Sequence, residues 1–217
     1  MAALTELFGP LEGLAAVEPR YNVAPTQLVA VVRAEGTART LARLRWGLIP
    51  QGARDPAIGA KLINARAETL SERPAYREPF ARRRCVVPAS GFYEWRTRGQ
   101  RKTPLYFHRA DRRPLALAAL WEPWPGGPAP ATFTIVTCPP NALLRQIHDR
   151  MPALLQPDGL RAWLDPAADP ARLRELLVPY EGELEQRPVG RAVNDVQNDG
   201  PDCVREETER EAQGELF

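Results

Sequence analysis

The spacing of apolar residues changes along this 217-residue chain, and the changes mark its elements. Leu4, Leu7 and Phe8 fall at helical spacing, which predicts a short amphipathic helix over 1–9. From Leu28 the pattern shifts to β-type alternation rich in branched residues. Strands are predicted at 28–33, 40–48, 84–87, 91–96, 105–108, 114–121 and 132–137. Helical character returns at 141–147, 158–164 and 170–177, with Asn, Asp and Pro near the starts. Strands fill the middle, helices lie towards the ends, and no regular β-α-β alternation runs through the chain. That order predicts an α+β single domain with a mainly antiparallel, curved, barrel-like sheet and flanking helices. Twenty-three prolines imply short strands and stiff connections, and the stretch EPWPGGPAP from Glu122 reads as a loop. The domain is expected over 1–203, and the acidic, polar residues 204–217 read as a disordered tail.

Composition narrows the setting. Apolar residues make up 44% and charged residues 26%, which is ordinary for a soluble globular protein. No apolar run is long enough for a bilayer and the start lacks a basic-then-apolar signal, so no membrane partner and a cytoplasmic location are expected. Three cysteines without a CxxC spacing, and only two histidines, argue against a disulfide framework and a metal site; no cofactor is expected. Net charge is only +2, but 76–102 carries eight basic residues against Glu78 and Glu94. Such a block suits a polyanion such as nucleic acid. Charge alone fits a solvated surface better.

Candidate chemistry lies in three segments, INARAET from Ile63, GFYEW from Gly91 and IHDRMP from Ile147. His148 is one of two histidines, and imidazole is the side chain whose ordinary pKa lies near neutrality. Glu94 stands between Tyr93 and Trp95 after the run CVVP, so partial desolvation should raise its pKa. Asn64 and Arg66 share a face if their segment is extended. Cys85 and Cys138 read as inert buried thiols, His108 as exposed and uninvolved, and Trp121 and Trp124 as packing. Trp46 is open equally to packing and to function.

With PRYNVAPTQ, RWGLIP, RRCVVPASGFYEW, ALAALWEPW, FTIVT and VNDVQNDGP added, the chain resembles the SOS response-associated peptidase (SRAP) family over about 19–201. The resemblance implies a DNA-damage protein that senses abasic sites in single-stranded DNA. It implies covalent attachment through an N-terminal cysteine, whose amine and thiol close a thiazolidine on the ring-opened sugar. It further implies hydrolase and lyase-type chemistry. On the matching motifs, Asn64 would hold the terminal residue and the adduct, Glu94 would handle protons at the amine, and His148 would protonate the sugar oxygen. Arg66 would contact phosphate, Trp46 would support the strand, and Thr137 would lie at the DNA surface.

The sequence departs from that pattern at its start, where position 2 is Ala. Two explanations stand, a start assigned too far downstream and a short form without covalent chemistry. The first is the expectation, because Asn64, Glu94 and His148 keep their motifs and a lost strand would leave an unpaired sheet edge. The other readings are a non-covalent single-stranded DNA binder and, ranked last, a peptidase acting on other proteins. A nucleoid-associated monomer is expected. The last five residues, QGELF, resemble a sliding-clamp docking pentapeptide, with Gln213, Leu216 and Phe217 as its anchors.

Overall fold

A sheet that closes on itself organises the chain. In a computed structural model the described residues are 2–13, 17–36, 38–124, 130–208 and 211. Among them the strands are β1 (Glu12–Gly13), β2 (Leu28–Glu35), β3 (Ala38–Trp46), β4 (Asn64–Arg66), β5 (Arg84–Ala89), β6 (Phe92–Arg98), β7 (Arg101–Arg109), β8 (Leu115–Glu122), β9 (Thr132–Cys138), β10 (Met151–Pro152) and β11 (Leu184–Pro188). The α-helices are α1 (Ala2–Phe8), α2 (Pro74–Arg82), α3 (Pro157–Leu164) and α4 (Pro170–Arg174). The antiparallel run β3-β2-β5-β8-β9 returns to β3 through the parallel pairs Arg45↔Thr132 and Trp46↔Phe133, completing a ring. Short β1, β4 and β10 attach at its rim. A second antiparallel sheet, β11-β7-β6, stands beside it.

Burial follows from this closure. Strands β5, β8 and β9 are buried on both faces, one lining the ring and one covered by neighbouring elements. Their near-continuous apolar character is what such double coverage requires. Helix α2 turns Tyr76, Pro79 and Phe80 inward, and α3 contributes Leu160, Trp163 and Leu164. Phe80 and Trp163 meet with ring centroids 6.0 Å apart.

Between these helices lies Arg84, only 5% exposed. Its Nε donates to the Trp163 carbonyl at 2.8 Å, and Nη1 donates to the Phe80 and Ala81 carbonyls at 2.9 and 2.6 Å. Its Nη2 donates to the Asp165 carbonyl at 2.6 Å. These oxygens belong to the C-terminal ends of α2 and α3, where the last carbonyls lack intrahelical donors. One guanidinium satisfies both ends.

The segment after β3 is fixed by two glycines that cross. Gly47 has φ +127, and a Cβ there would stand 2.6 Å from the Gly59 carbonyl oxygen; a Cβ on Gly59 would stand 2.8 Å from the Gly47 oxygen. The crossing brings Leu48 N–H to the Leu62 carbonyl at 3.1 Å and carries the chain into β4. Gly47→Ala is expected to cost about 2 kcal/mol through a strained φ and a backbone clash. Thermal unfolding measures it, and a melting point equal to the parent's would show that the crossing can yield.

Several predicted elements change in detail. The 141–147 helix is a single 3-10 turn, Leu144–Gln146, because the Asn141 Oδ1 accepts from Leu144 N–H at 3.0 Å and the N–H groups of Ile147 and His148 fold back on Leu144. Helix α4 stops at Arg174, where the N–H groups of Leu176 and Leu177 reach back only three residues. His108 is not exposed: strand β11 covers β7 and leaves it 2% accessible. Its Nε2 accepts from Arg112 Nη1 at 2.8 Å, so Nδ1 donates to the Arg109 carbonyl at 3.0 Å. The expected tail does not begin at Val204. Its carbonyl accepts from Arg187, Glu206 bridges Val189, and Glu207 N–H donates to the Pro188 carbonyl. The clamp-like residues Gln213, Leu216 and Phe217, and 125–129 of the expected loop, lie outside the described residues.

Candidate active site

Strand alternation places the first two candidates. In β4 the residues Asn64 and Arg66 are exposed while Ala65 between them is buried, so amide and guanidinium share the outer face. Parallel pairing to β9 sets Arg66 beside Thr137. The Asn64 backbone is held in turn, its carbonyl accepting from the Tyr76 hydroxyl of α2 at 3.3 Å.

In β6 the same alternation separates Glu94 from its aromatic neighbours. Tyr93 faces the small core of Tyr106, Val189, Val193 and Cys203, and its hydroxyl donates to the Tyr21 carbonyl at 2.6 Å. Trp95 is 37% exposed, with Nε1 donating to Asn194 Oδ1 at 2.8 Å. Glu94 lies opposite Leu105 and follows Phe92, which stacks on Phe107 at 5.3 Å, so its carboxyl sits over the edge of the main core. Burial raises its pKa above the ordinary carboxylate value; the nearby charge of His148 pulls it down and that of Asp149 pushes it up. The structure therefore brings Glu94 and His148 within electrostatic reach of one another.

His148 follows the 3-10 turn, its N–H donating to the Leu144 carbonyl at 2.9 Å. Its ring is half-exposed, with Nδ1 3.0 Å from the Arg150 N–H and 3.1 Å from Asp149 Oδ1. Among the described residues Nε2 has no hydrogen-bond partner. A ring addressed by protein at one nitrogen and open at the other is arranged for proton transfer outward.

Trp46 and Thr137 are placed differently. Trp46 is half-buried, donates from Nε1 to the Ile63 carbonyl at 2.8 Å and stacks on Phe133 at 6.3 Å. It forms the wall beneath β4. Thr137 is 8% exposed; its carbonyl accepts from Arg150 Nη2 at 2.6 Å, and its hydroxyl faces the Ala65 carbonyl. Its visible work is to join the segments of Asn64 and His148.

Two groups escaped the sequence reading. Glu68 and Arg150 form a bidentate ion pair at 2.7 and 2.8 Å, across 82 positions that no local pattern links. Asp199 Oδ1 accepts from the N–H groups of Tyr21 and Asn22, and Asn22 Nδ2 donates to the Val193 and Asp195 carbonyls. The segments PRYNVAPTQ and VNDVQNDGP are thereby stapled beside Trp95. The available signal was the Asn- and Asp-rich run VNDVQNDGP; PRYNVAPTQ carries only Asn22. Among the described residues no group of three His, Cys, Asp or Glu side chains is placed to hold a metal ion. No helix of the described residues is long and apolar enough to cross a membrane.

Comparison with known proteins adds a family. The profile of the SOS response associated peptidase (SRAP) family matches residues 2–196. The chain is 43% identical over 191 residues to the abasic site processing protein YoqW of Bacillus subtilis, covering 86% of this chain and 85% of that protein. It is 31% identical over 191 residues to the abasic site processing protein YedK of Escherichia coli, covering 86% and 84%. A crystal structure from Bacteroides thetaiotaomicron superposes with TM-score 0.76 at 28% identity, covering 84% of this chain and 82% of the other.

Proposed function

The chain belongs to the SRAP family, and on that premise we propose that it processes abasic sites in single-stranded DNA through the face bearing Asn64, Glu94 and His148. The observation that carries this reading is the pairing of a carboxyl raised by burial with an imidazole whose Nε2 is open. An abasic sugar is mostly a closed hemiacetal. Opening it needs a proton at the ring oxygen, and attack needs a neutral amine. His148 gives the first proton and Glu94 accepts one from the amine. Asn64 supplies both an amide donor and an acceptor to hold the adduct, and exposed Arg66 meets the phosphate next to it. The outer face of Trp95, with its edge tied to Asn194, offers a stacking platform for an unpaired base.

The resemblance assigns the nucleophile to an N-terminal cysteine. Cys85, Cys138 and Cys203 do not substitute for it. All three are buried, none has a free amine, and burial raises each thiol, that of Cys138 to about 11. After removal of Met1, the Ala2 amine could form an imine but no thiazolidine.

A denaturing gel with an abasic single-stranded oligonucleotide tests the reading. The 217-residue chain should retain the oligonucleotide under native conditions and give no heat-stable shifted band. The same chain extended by an N-terminal segment opening Met-Cys-Gly-Arg should give that band. A heat-stable band from the unextended chain would mean that another nucleophile exists, and no band from the extended chain would remove the covalent reading altogether. Action as a monomer at the nucleoid, self-cleavage before the cysteine, and clamp docking through Gln213, Leu216 and Phe217 belong to the same proposal. The last of these rests on the pentapeptide QGELF alone.

A further inference from the structure

We propose that the Glu68–Arg150 pair sets which nitrogen of His148 carries the proton, making both of them positioning residues for the site. The use of this device rests on the function proposed above; its geometry does not.

The Arg150 guanidinium ties together three segments. Its Nη1 donates to Glu68 Oε1 at 2.7 Å, and its Nη2 donates to Glu68 Oε2 at 2.8 Å and to the Thr137 carbonyl at 2.6 Å. Glu68 lies in the 3-10 turn Ala67–Thr69 directly after β4, and Thr137 ends the part of β9 that pairs with β4. A fork on a carboxylate fixes orientation as well as distance, which a single contact from a lysine would not. The Arg150 side chain is 18% exposed and its Nε is buried, so the arm is enclosed along its length. The hydrogen bond from Arg150 also holds the Glu68 carboxyl below its ordinary pKa. The pair is therefore ionised and locked at neutral pH.

The consequence passes through the backbone. With the side chain fixed at its far end, the Arg150 N–H is aimed at His148 Nδ1, 3.0 Å away. An amide N–H can only donate, so this contact favours the neutral ring in which Nδ1 accepts and the proton resides on Nε2. Two acceptors also face Nδ1, the Arg150 carbonyl at 3.3 Å and Asp149 Oδ1 at 3.1 Å. They take over when the ring gains its second proton. In the neutral and in the cationic ring Nδ1 is occupied by protein, and Nε2 carries a proton towards the outer face. The neutral ring offers that proton as a hydrogen bond; the imidazolium gives it up as an acid and keeps its other proton on Nδ1, where Asp149 Oδ1 and the Arg150 carbonyl accept it. Without the clamp the amide keeps only the anchors of its neighbours, His148 on Leu144 and Met151 on β9, and the ring would relax towards the tautomer mixture of a solvated imidazole.

Nitrogen-15 NMR on the full chain with labelled histidine tests this directly, at a pH above the imidazole titration and with no DNA present. There are two histidines in the sequence, so the spectrum of His148→Gln assigns both. His148 should show a pyridine-type Nδ1 and a pyrrole-type Nε2. In Glu68→Gln and in Arg150→Lys both resonances should move towards averaged positions. The buried His108 signals should stay in place, which verifies the fold. Averaged nitrogens in the parent protein, or resolved ones that persist in both variants, would overturn the proposal. Because the readout needs no abasic substrate, failure of the functional reading would leave this result standing, and the reverse also holds.

Discussion

Replacing Arg84 with Met is expected to destabilise the fold by about 3–5 kcal/mol, because several buried carbonyls lose a charged donor together. For a chain of this length that is a fall of roughly 10 °C in melting temperature. Met roughly conserves the volume of the arm, so the loss is polar. The carbonyls of Phe80, Ala81 and Trp163 lose the guanidinium at once, while that of Asp165 keeps the Ala168 N–H at 3.1 Å. An unsatisfied buried acceptor costs on the order of 1–3 kcal/mol, and relaxation and entering water would recover part of the sum. No carboxylate side chain hydrogen-bonds the guanidinium among the described residues. It is held by the negative ends of α2 and α3, the polarity expected of helix C-termini. Arg84→Lys keeps the charge but offers a point donor in place of a fork, and should fall between parent and Met variant. Thermal or denaturant unfolding decides the matter; a Met variant melting within about 2 °C of the parent would show that the helix ends find other donors. The effect reaches the site, because α2 holds the Asn64 carbonyl and β5 leads into Glu94.

What could be read from the sequence was whatever a local pattern encodes. The apolar run before Glu94 foretold a raised carboxyl, while Tyr93 and Trp95, read as part of the same apolar setting, turn to the opposite face of β6. The spacing of Asn64 and Arg66 carried their common face. Helix α2 was hidden by Pro74, Pro79 and the arginines around them, although its buried Tyr76, Pro79 and Phe80 keep a helical spacing. One omission produced another. Strand β11 has a weak, polar pattern, and without it β7 looks like an edge and His108 like a surface residue. The Glu68–Arg150 fork, the Arg84 staple and the Asp199 latch join residues 82, 81 and 178 positions apart at their widest. Such contacts are made by chain topology, which periodicity does not record.

Glu94→Gln is expected to slow covalent capture of an abasic site on the order of 10²-fold, the usual contribution of a positioned acid–base group, and to raise the melting temperature at neutral pH. Both effects follow from one displaced pKa. The folded protein disfavours the ionised carboxyl, chiefly by burial, so the titration of Glu94 lies above the ordinary value of 4.5. Ionised Glu94 therefore strains the fold at every pH above its folded pKa. That strain fades as pH falls through the folded pKa and is gone below the unfolded one. Gln keeps the shape without the charge, so its stabilising effect should be present at neutral pH and vanish in acid. Activity runs the opposite way. A base must be ionised to accept the amine proton, so the rate should fall with pH through the raised pKa, and Gln should abolish that acid limb. His148 modulates the same group: its positive charge favours the ionised carboxyl, so His148→Asn should move the limb to higher pH while removing the acid that opens the sugar. Single-turnover capture by the cysteine-extended chain, followed from acid to neutral pH, reads all three. An acid limb that survives in Glu94→Gln would assign the proton acceptor to another residue. A melting temperature unchanged by the substitution at neutral pH would show that the carboxylate is solvated after all, leaving no physical reason for its role as the base.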